Sequence, residues 1–445
     1  MTLRFGTDGV RGVANLDLTP ELVTAFGRAA ARVLAGDEFV IGRDTRVSGP
    51  LLEHALAAGL ASEGITVSTL GVVPTPAVAW TAAHHGVAGA MISASHNKYP
   101  DNGVKLFAPG GRKLRDDVEE TLEAELDRLV HRANDASAAP TGDAVGTITA
   151  APEHLLDYAD SVVDSVEGRS LDGLRIVIDC ANGSATTIAP HVLRRLGADV
   201  IVIHADPNGT NINESCGSTH PDDLQKAVVE HHADAGLAFD GDADRVLAVD
   251  AKGDLVDGDQ IIAACALDLR ERGRLKHDTV VVTVMTNLGF RRAMADHGIN
   301  VEETAVGDRF VLDALDGGGH SLGGEQSGHV IFADLATTGD GLLTGVQLLD
   351  IMRRTDRPLR KLAGVMSRYP QVLRNVRIAV EVHDLDERLA GDVRAAAGRL
   401  GDDGRVLIRR SGTEPLVRVM VEAKTTEQAE AVADQLADAV AIAAS

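Results

Sequence analysis

This sequence contains no long apolar run and few cysteines. None of its apolar stretches reaches the roughly 18 residues that a membrane-spanning helix needs, and its first residues lack the apolar core of a signal peptide. We therefore expect a cytoplasmic protein with no membrane partner. The three cysteines, Cys180, Cys216 and Cys265, are widely spaced. They favour buried thiols in a reducing compartment, so we expect no disulfide and no zinc site.

Positive charge is also scarce. The chain has 43 Lys and Arg against 66 Asp and Glu, a formal net charge of -23, and no segregated basic run. Long-range repulsion of a polyanion therefore argues against nucleic acid as a partner. A small phosphorylated molecule would meet the same repulsion. An enzyme that acts on one therefore needs locally clustered Arg, Lys or metal.

A unit of apolar strand, polar turn, helix, glycine and second strand occurs three times. Its first strands lie at residues 39–44, 175–179 and 279–284. The repetition predicts three related α/β domains with largely parallel, mixed sheets. After residue 370 the pattern changes to three strands and a terminal amphipathic helix, which indicates a smaller C-terminal α+β domain. We place the domains at residues 1–160, 161–260, 261–368 and 369–445.

Three carboxylates follow one apolar run at alternate positions. Asp240, Asp242 and Asp244 form a dense negative cluster suited to a hard cation bound through oxygen; a solvated turn is the alternative. An EF-hand is excluded, because its sixth position holds Arg245 and its twelfth holds Ala251. A phosphatase in which Asp240 is the nucleophile stays open.

Ser95 is a better nucleophile candidate. It follows an apolar strand and lies in a small polar loop with His96 and Asn97, although a serine-rich turn would look the same. The sequence contains no G-x-S-x-G elbow, which disfavours a serine hydrolase. It also contains no G-x-x-x-x-G-K-[ST] loop, which disfavours an ATP-dependent kinase.

Four motifs resemble those of the α-D-phosphohexomutase superfamily, whose serine carries a phosphoryl group. They are Ser-Ala-Ser-His-Asn at 93–97, Asp-Gly-Asp-Ala-Asp-Arg at 240–245, Gly-Glu-Gln-Ser-Gly-His at 324–329 and Arg-Arg-Ser-Gly-Thr-Glu-Pro at 409–415. The resemblance covers the whole chain in order. It implies three related α/β domains, a smaller fourth one, and an active site in the central cleft where all four meet.

Within that superfamily, the sequence resembles the phosphoglucosamine mutase branch more than the phosphomannomutase/phosphoglucomutase branch, which is the alternative. The features are residues 5–12, Gln326 and residues 411–414. This branch implies interconversion of glucosamine 6-phosphate and glucosamine 1-phosphate, with glucosamine 1,6-bisphosphate as intermediate and activator, in the synthesis of UDP-N-acetylglucosamine and cell-wall precursors. One departure is Lys98, which stands where the family usually has proline and predicts a less rigid loop.

The resemblance also implies roles for single residues. One Mg²⁺ would be held by Asp240, Asp242, Asp244 and a phosphate oxygen on Ser95. The catalytic candidates are Ser95, Arg245, Lys105 and His329. His96 is a candidate for a supporting residue beside them. The sugar-binding candidates are Glu325 and Ser327, and those for the non-reacting phosphate are Arg409, Ser411, Gly412, Thr413 and Arg418.

Some assignments have two readings. Arg11, Arg43 and Asp44 resemble family positions near the serine loop, but structural salt bridges would explain them equally well. Residues 304–309 look like a substrate-facing loop or an ordinary strand end. The sequence does not determine the oligomeric state, and a homodimer stays open. Besides the mutase, a sugar-phosphate phosphatase and a non-catalytic binding protein remain, although a binding protein would more naturally have lost Ser95 or an aspartate.

Overall fold

The structure is a computed structural model that describes residues 6, 9–34, 36–131, 139–378, 385–410 and 416–444. The helices are Pro20–Val33 (α1), Gly49–Ser62 (α2), Thr75–His85 (α3), Asp116–His131 (α4), His154–Asp164 (α5), Ala185–Arg195 (α6), Asp222–Glu230 (α7), Gly258–Glu271 (α8), Leu288–Asp296 (α9), Asp308–Gly318 (α10), Gly341–Thr355 (α11), Leu359–Ala363 (α12), Leu385–Leu400 (α13) and Thr426–Ala443 (α14).

The strands form four sheets. They are Val10–Val13 (β1), Glu38–Arg43 (β2), Thr66–Val72 (β3), Ala88–Ile92 (β4), Asp101–Phe107 (β5), Ile148–Ala150 (β6), Arg175–Asp179 (β7), Asp199–Ile203 (β8), Ala235–Phe239 (β9), Val246–Asp250 (β10), Leu255–Val256 (β11), Thr279–Thr283 (β12), Asn300–Thr304 (β13), Leu322–Gly324 (β14), Val330–Phe332 (β15), Gln371–Arg377 (β16), Arg405–Arg410 (β17) and Leu416–Glu422 (β18). The chain divides into two compact units, Met1–Val284 with Asn300–Gly364, and Met285–Ile299 with Val365–Ser445.

The first unit contains three mixed sheets, each with a parallel centre. Their strand orders are β1-β5-β4-β2-β3-β6, β11-β10-β9-β7-β8 and β13-β12-β14-β15. In each sheet one strand runs parallel to its inner neighbour and pairs antiparallel with the next strand in the chain: β4 with β5, β9 with β10, and β14 with β15. The predicted α/β sheets are confirmed, and the three antiparallel connections become important for the site.

Local sequence explains why these elements form. Every residue of β4 and of β9 is buried, as expected for apolar strands covered on both faces. Helix α8 begins at a capping box, in which Asp257 accepts from the Gln260 N–H and Gln260 reaches back. Helix α11 begins at Asp340, whose carboxylate accepts from the Leu343 N–H at 2.9 Å.

The second unit is built on the antiparallel sheet β16-β18-β17. The helices α13 and α14 contribute Leu389 and Leu436 to its core, where they join Val419 of the central strand. Helix α9 is capped by Asn287, which also donates to the Tyr369 carbonyl at 2.9 Å. The small α+β part expected after residue 370 is present. In the described part of the chain, no helix is long and apolar enough to cross a bilayer.

Candidate functional site

Two of the predicted motifs meet directly. Ser95 lies between β4 and β5 of the first sheet, and Asp240 lies between β9 and β10 of the second. The Ser95 Oγ donates to the Asp240 Oδ2 at 2.6 Å, and both residues are buried. Gly241 permits this approach, because a Cβ there would lie 2.7 Å from the Ser95 carbonyl oxygen. The serine and the carboxylates therefore form one site.

The backbone of the serine loop is held by Arg46, which is 1% exposed. Ser95 has a left-handed φ of 51°, which a non-glycine residue adopts only with support from its surroundings. The Arg46 guanidinium donates to the carbonyls of Ser95 and Asn97 at 2.9 and 2.8 Å, and to the Asp44 carboxylate at 2.8 Å. It also donates to the Lys98 carbonyl at 2.5 Å.

Arg46 and Asn213 were missed by sequence reasoning. The Asn213 side-chain amide donates to the carbonyls of Ser95 and Asn97 at 2.9 and 3.0 Å. Neither residue belongs to a recognisable motif. Each donates to backbone carbonyls, which every residue type has, so the sequence gives no sign of the contact. For Arg46, the nearby Arg43-Asp44 pair was the available signal.

The alternative salt-bridge reading is the one observed for Arg43 and Asp44. Arg43 pairs with Glu53 at 3.0 Å, and Asp44 pairs with the buried Arg46. Arg11 donates to the Ala94 carbonyl at 3.4 Å, next to the serine.

The three aspartates lie together and are almost fully buried. One carboxylate oxygen from each of Asp240, Asp242 and Asp244 lies within 4.8 Å of the others. The Lys105 Nζ, which comes from β5, donates to Asp242 Oδ2 at 2.8 Å and to Asp244 Oδ2 at 3.3 Å. The Thr75 hydroxyl donates to Asp242 Oδ2 at 2.7 Å. Thr75 was not predicted, because it begins helix α3, between β3 and β4, and belongs to no motif.

The charges in this cluster are unevenly compensated. Burial, together with the Asp244 and Asp242 carboxylates, raises the pKa of Asp240 well above its ordinary range. Burial also acts to raise the pKa of Asp244, but Lys105 and His329 outweigh it and lower that pKa well below its ordinary range. The Oδ1 atoms of Asp242 and Asp244 are buried with no hydrogen-bond partner among the described residues. Buried carboxylate oxygens left in this state fit a hard divalent cation such as Mg²⁺.

Arg245 and His96 border the cluster. The Arg245 backbone N–H donates to Asp240 Oδ1 at 3.2 Å, and its guanidinium Nη1 lies 3.3 Å from His96 Nδ1. Burial, assisted by the positive charges of Arg245 and Arg11, lowers the pKa of His96 to about 4. A neutral His96 can accept a hydrogen bond from Arg245, which aims that guanidinium toward the serine.

His329 lies between two carboxylates. Its Nδ1 is 3.7 Å from Asp244 Oδ2, and its Nε2 is 3.5 Å from Asp308 Oδ2. Burial acts to lower the pKa of His329, but Asp244, Asp308 and Glu325 outweigh it, so the pKa is raised. Asp308 in turn pairs with Lys113. Lys113 was not predicted, whereas Asp308 lies in segment 304–309, which the sequence offered as either a substrate-facing loop or a strand end.

The predicted sugar-binding loop is the turn between β14 and β15. Its Glu325 carboxylate accepts from the Ser327 hydroxyl at 3.1 Å and from the Gly307 N–H at 3.2 Å. Segment 304–309 is thus joined to this loop by a hydrogen bond.

The remaining predicted residues belong to the second unit. Arg409 and Arg418 lie directly opposite each other on β17 and β18. Burial and the charge of Arg418 lower the pKa of Arg409, whose buried Nε has no hydrogen-bond partner in the part of the chain that the structure describes. Two opposed guanidinium groups favour an anion between them. Ser411, Gly412 and Thr413 lie outside the described residues.

Four family models match consecutive segments of the chain. They are the phosphoglucomutase/phosphomannomutase alpha/beta/alpha domains I, II and III, at residues 2–132, 156–253 and 257–369, and the C-terminal domain of the same family, at residues 373–439.

Relatives match over nearly the whole length. The chain is 54% identical over 454 residues to the phosphoglucosamine mutase of Frankia casuarinae, covering 99% of this chain and 98% of the other. It is 55% identical over 446 residues to that of Acidothermus cellulolyticus, covering 98% and 95%.

Two solved structures share the fold. One is a phosphoglucomutase/phosphomannomutase family protein from Burkholderia thailandensis, with a TM-score of 0.81, 26% identity, and coverage of 98% of this chain and 97% of the other. The other is the N-acetylphosphoglucosamine mutase of Aspergillus fumigatus in complex with GlcNAc-6P and magnesium, with a TM-score of 0.71, 20% identity, and coverage of 100% and 96%.

Proposed function

The chain belongs to the phosphoglucomutase/phosphomannomutase family, and within it to the phosphoglucosamine mutases that interconvert glucosamine 6-phosphate and glucosamine 1-phosphate; we propose that it does so through a phosphorylated Ser95. The observation that carries the proposal is the 2.6 Å hydrogen bond from the Ser95 Oγ to Asp240, inside a buried cluster of three carboxylates. Among the described residues, no other serine hydroxyl hydrogen-bonds to that cluster.

Asp240, Asp242 and Asp244 would hold one Mg²⁺, with a phosphate oxygen on Ser95 as a further ligand. The two unpartnered carboxylate oxygens support this assignment, and a fungal relative with the same fold was solved with magnesium. When bound, Mg²⁺ supplies positive charge that polarises the phosphoryl group and stabilises the departing serine oxygen. Lys105 already neutralises part of the cluster, so one divalent ion suffices.

In the transfer step, the bond between phosphorus and the Ser95 Oγ breaks and a bond from phosphorus to the sugar 1-oxygen forms. Catalysis of such a step depends on alignment and on neutralising the equatorial oxygens. Arg245, aimed by His96, would supply a guanidinium to those oxygens. His329 and Lys105 would take the proton of the sugar hydroxyl and return a proton to the serine oxygen. The reverse transfer from the 6-position restores phospho-Ser95.

The resemblance supplies the substrate contacts. Glu325, already oriented by Ser327, would accept hydrogen bonds from two sugar hydroxyls in either orientation of the sugar. The non-reacting phosphate would be bound by Arg409, Ser411, Gly412, Thr413 and Arg418. Glucosamine 1,6-bisphosphate would act as intermediate and as activator that first phosphorylates Ser95.

Two further assignments belong to this proposal. The four-domain division at 1–160, 161–260, 261–368 and 369–445 is supported by the four consecutive family matches. A cytoplasmic site of action suits an enzyme of precursor synthesis.

The first test is a comparison of wild type with Ser95→Ala. Conversion of glucosamine 6-phosphate is measured with Mg²⁺ and a trace of bisphosphate, with glucose and mannose phosphates assayed in parallel. We expect preferential turnover of the glucosamine phosphates, reduced at least a thousandfold in Ser95→Ala because the phosphoryl carrier is lost. Ser321→Ala, which removes another buried hydroxyl, is the matched control.

Two outcomes would contradict the proposal. Release of inorganic phosphate in place of isomer formation, lost in Asp240→Asn but retained in Ser95→Ala, would indicate the phosphatase. Equal or better turnover of mannose or glucose phosphates would move the chain's main activity to the phosphomannomutase/phosphoglucomutase reaction.

A further inference from the structure

A second cluster of metal-ligating side chains lies in the first unit, at the carboxyl ends of β7 and β8. It consists of the Asp179 carboxylate at the end of β7, the His204 imidazole just after β8 and the Cys216 thiol in the following loop. One ligand atom from each lies within 4.8 Å of the other two, and His204 Nδ1 is 3.0 Å from Asp179 Oδ2. The mechanism above uses none of them.

Each of the three groups has an outer partner of the kind that metal ligands have. The Asp179 oxygens accept from the N–H groups of Ala181 and Gly217, both at 2.9 Å. The Asn182 amide points at the Cys216 sulfur at 3.9 Å.

The histidine has the most specific outer partner. His204 Nδ1 faces Asp179, while Nε2 lies 3.6 Å from the Asp223 carboxylate. A carboxylate behind the second ring nitrogen is the usual way in which a protein orients a metal-bound histidine. His204 thus presents Nδ1 to the cluster, while the Asp223 carboxylate lies near its Nε2.

The backbone at this cluster is held in unusual conformations. His204, Ala181 and Ser215 have left-handed φ values of 47°, 53° and 54°. This region is unfavourable for non-glycine residues, and residues held in it concentrate at functional sites. The two loops that follow β7 and β8 therefore hold defined conformations around Asp179, His204 and Cys216.

We propose that Asp179, His204 and Cys216 bind one divalent transition-metal ion of the zinc class, separate from the Mg²⁺ site. A ligand set of one oxygen, one nitrogen and one sulfur, with water as the fourth ligand, suits tetrahedral Zn²⁺, whereas Mg²⁺ prefers oxygen alone. His204 is half-buried, so an ion can enter from solvent.

This proposal differs from the expectation of no zinc site. That expectation rested on spacing in the sequence, and the three ligands come from separate segments that only the fold brings together. Its consequence is structural. The loop that carries Cys216 also carries Asn213, whose N–H donates to the Ala181 carbonyl at 3.0 Å and whose side chain supports the Ser95 carbonyl. An ion here would stabilise the loops behind the serine.

The test is titration of the chelator-treated, full-length protein with Co²⁺, followed by absorption spectroscopy. Co²⁺ bound at the three aspartates has only oxygen ligands, so a thiolate-to-cobalt charge-transfer band in the near ultraviolet reports the proposed site alone. We expect the band to saturate at one equivalent, to be absent in Cys216→Ala, and to be unchanged in the matched control Cys265→Ala. Zn²⁺ added in excess should abolish it.

Two further variants keep the test decisive if Cys216→Ala does not fold. His204→Gln, at a half-buried position, should lose the band while circular dichroism shows a native spectrum. Asp223→Asn should weaken Co²⁺ binding about 10- to 100-fold. A wild-type protein with no charge-transfer band, or a band that survives in Cys216→Ala or His204→Gln, would overturn the proposal. Because the readout is independent of turnover, its failure would leave the mutase assignment untouched.

Discussion

At the residue scale, Arg46 is the side chain on which the serine loop depends most. Its buried guanidinium pairs with Asp44 and donates to carbonyls of Ser95, Asn97 and Lys98. The ammonium group of a lysine would not offer this planar set of donors. The loop's left-handed turn at Ser95 is therefore maintained by a residue that takes no part in the chemistry.

Arg46→Met should lower the free energy of unfolding by about 3 to 5 kcal/mol, because Asp44 would remain buried without its cation. Urea denaturation would measure the loss. Arg175→Met, which removes the exposed pair with Asp199, is the matched control and should cost less than about 1 kcal/mol. Equal effects of the two substitutions would show that Arg46 has no special part in holding the loop.

At the element scale, the loops that carry Ser95, the three aspartates and Glu325 occupy equivalent positions in the three sheets. The Ser95 loop connects β4 to β5, the aspartate loop connects β9 to β10, and residues 325–329 connect β14 to β15. In each sheet this is the turn from a parallel strand into its antiparallel neighbour. The threefold repeat seen in the sequence thus places one functional loop at the same point of each repeat.

The start of helix α11 provides a pH-dependent test at this scale. Burial raises the pKa of Asp340 from 3.8 to about 6, although the Leu343 N–H and the Tyr158 hydroxyl favour the charged form and Asp244 adds to the increase. A pKa raised by folding means that the protonated group favours the folded state. This contribution is complete below pH 3.8 and is lost as the pH rises through about 6.

Asp340→Asn cannot ionise but can still cap the helix. Its free energy of unfolding relative to wild type should therefore increase between pH 5 and pH 8 by about 1 to 2 kcal/mol, and its relative melting temperature should rise with it. The matched control is Asp356→Asn at the other end of α11, whose difference from wild type should not vary in the same way. A pH-independent difference for Asp340→Asn would contradict the raised pKa.

At the scale of the whole molecule, a cation at the three aspartates would connect two of the sheets. Asp242 contacts Lys105 on β5 and Thr75 at the start of α3, both in the segment that forms the first sheet, while its own loop joins β9 to β10 of the second sheet. The chain has a formal net charge of -23, and its carboxylates repel one another wherever they lie close together. A divalent ion relieves this repulsion where it is strongest.

Mg²⁺ should therefore raise the free energy of unfolding of the chelator-treated protein by RT ln(1 + [L]/Kd), about 2.7 kcal/mol at a concentration of 100 Kd, and its melting temperature should rise with it. Asp242→Asn should lose most of this shift and nearly all turnover. The matched control Asp316→Asn, at an exposed position on α10, should retain both. Full stabilisation of Asp242→Asn by Mg²⁺ would exclude these aspartates as the ion's ligands.

The sequence by itself determined the fold class, the family and the three loops that carry Ser95, Asp240 and Glu325, because strand patterns and motifs are local properties of the chain. Only the tertiary structure decided that Arg46 and Asn213 hold the serine loop, that Arg43 and Asp44 make structural ion pairs, and that Asp179, His204 and Cys216 converge. These are contacts between distant segments, and several end on backbone carbonyls, which leave no mark on residue type. Their existence depends on how three sheets bring their loops together, and no spacing along the chain encodes that distance.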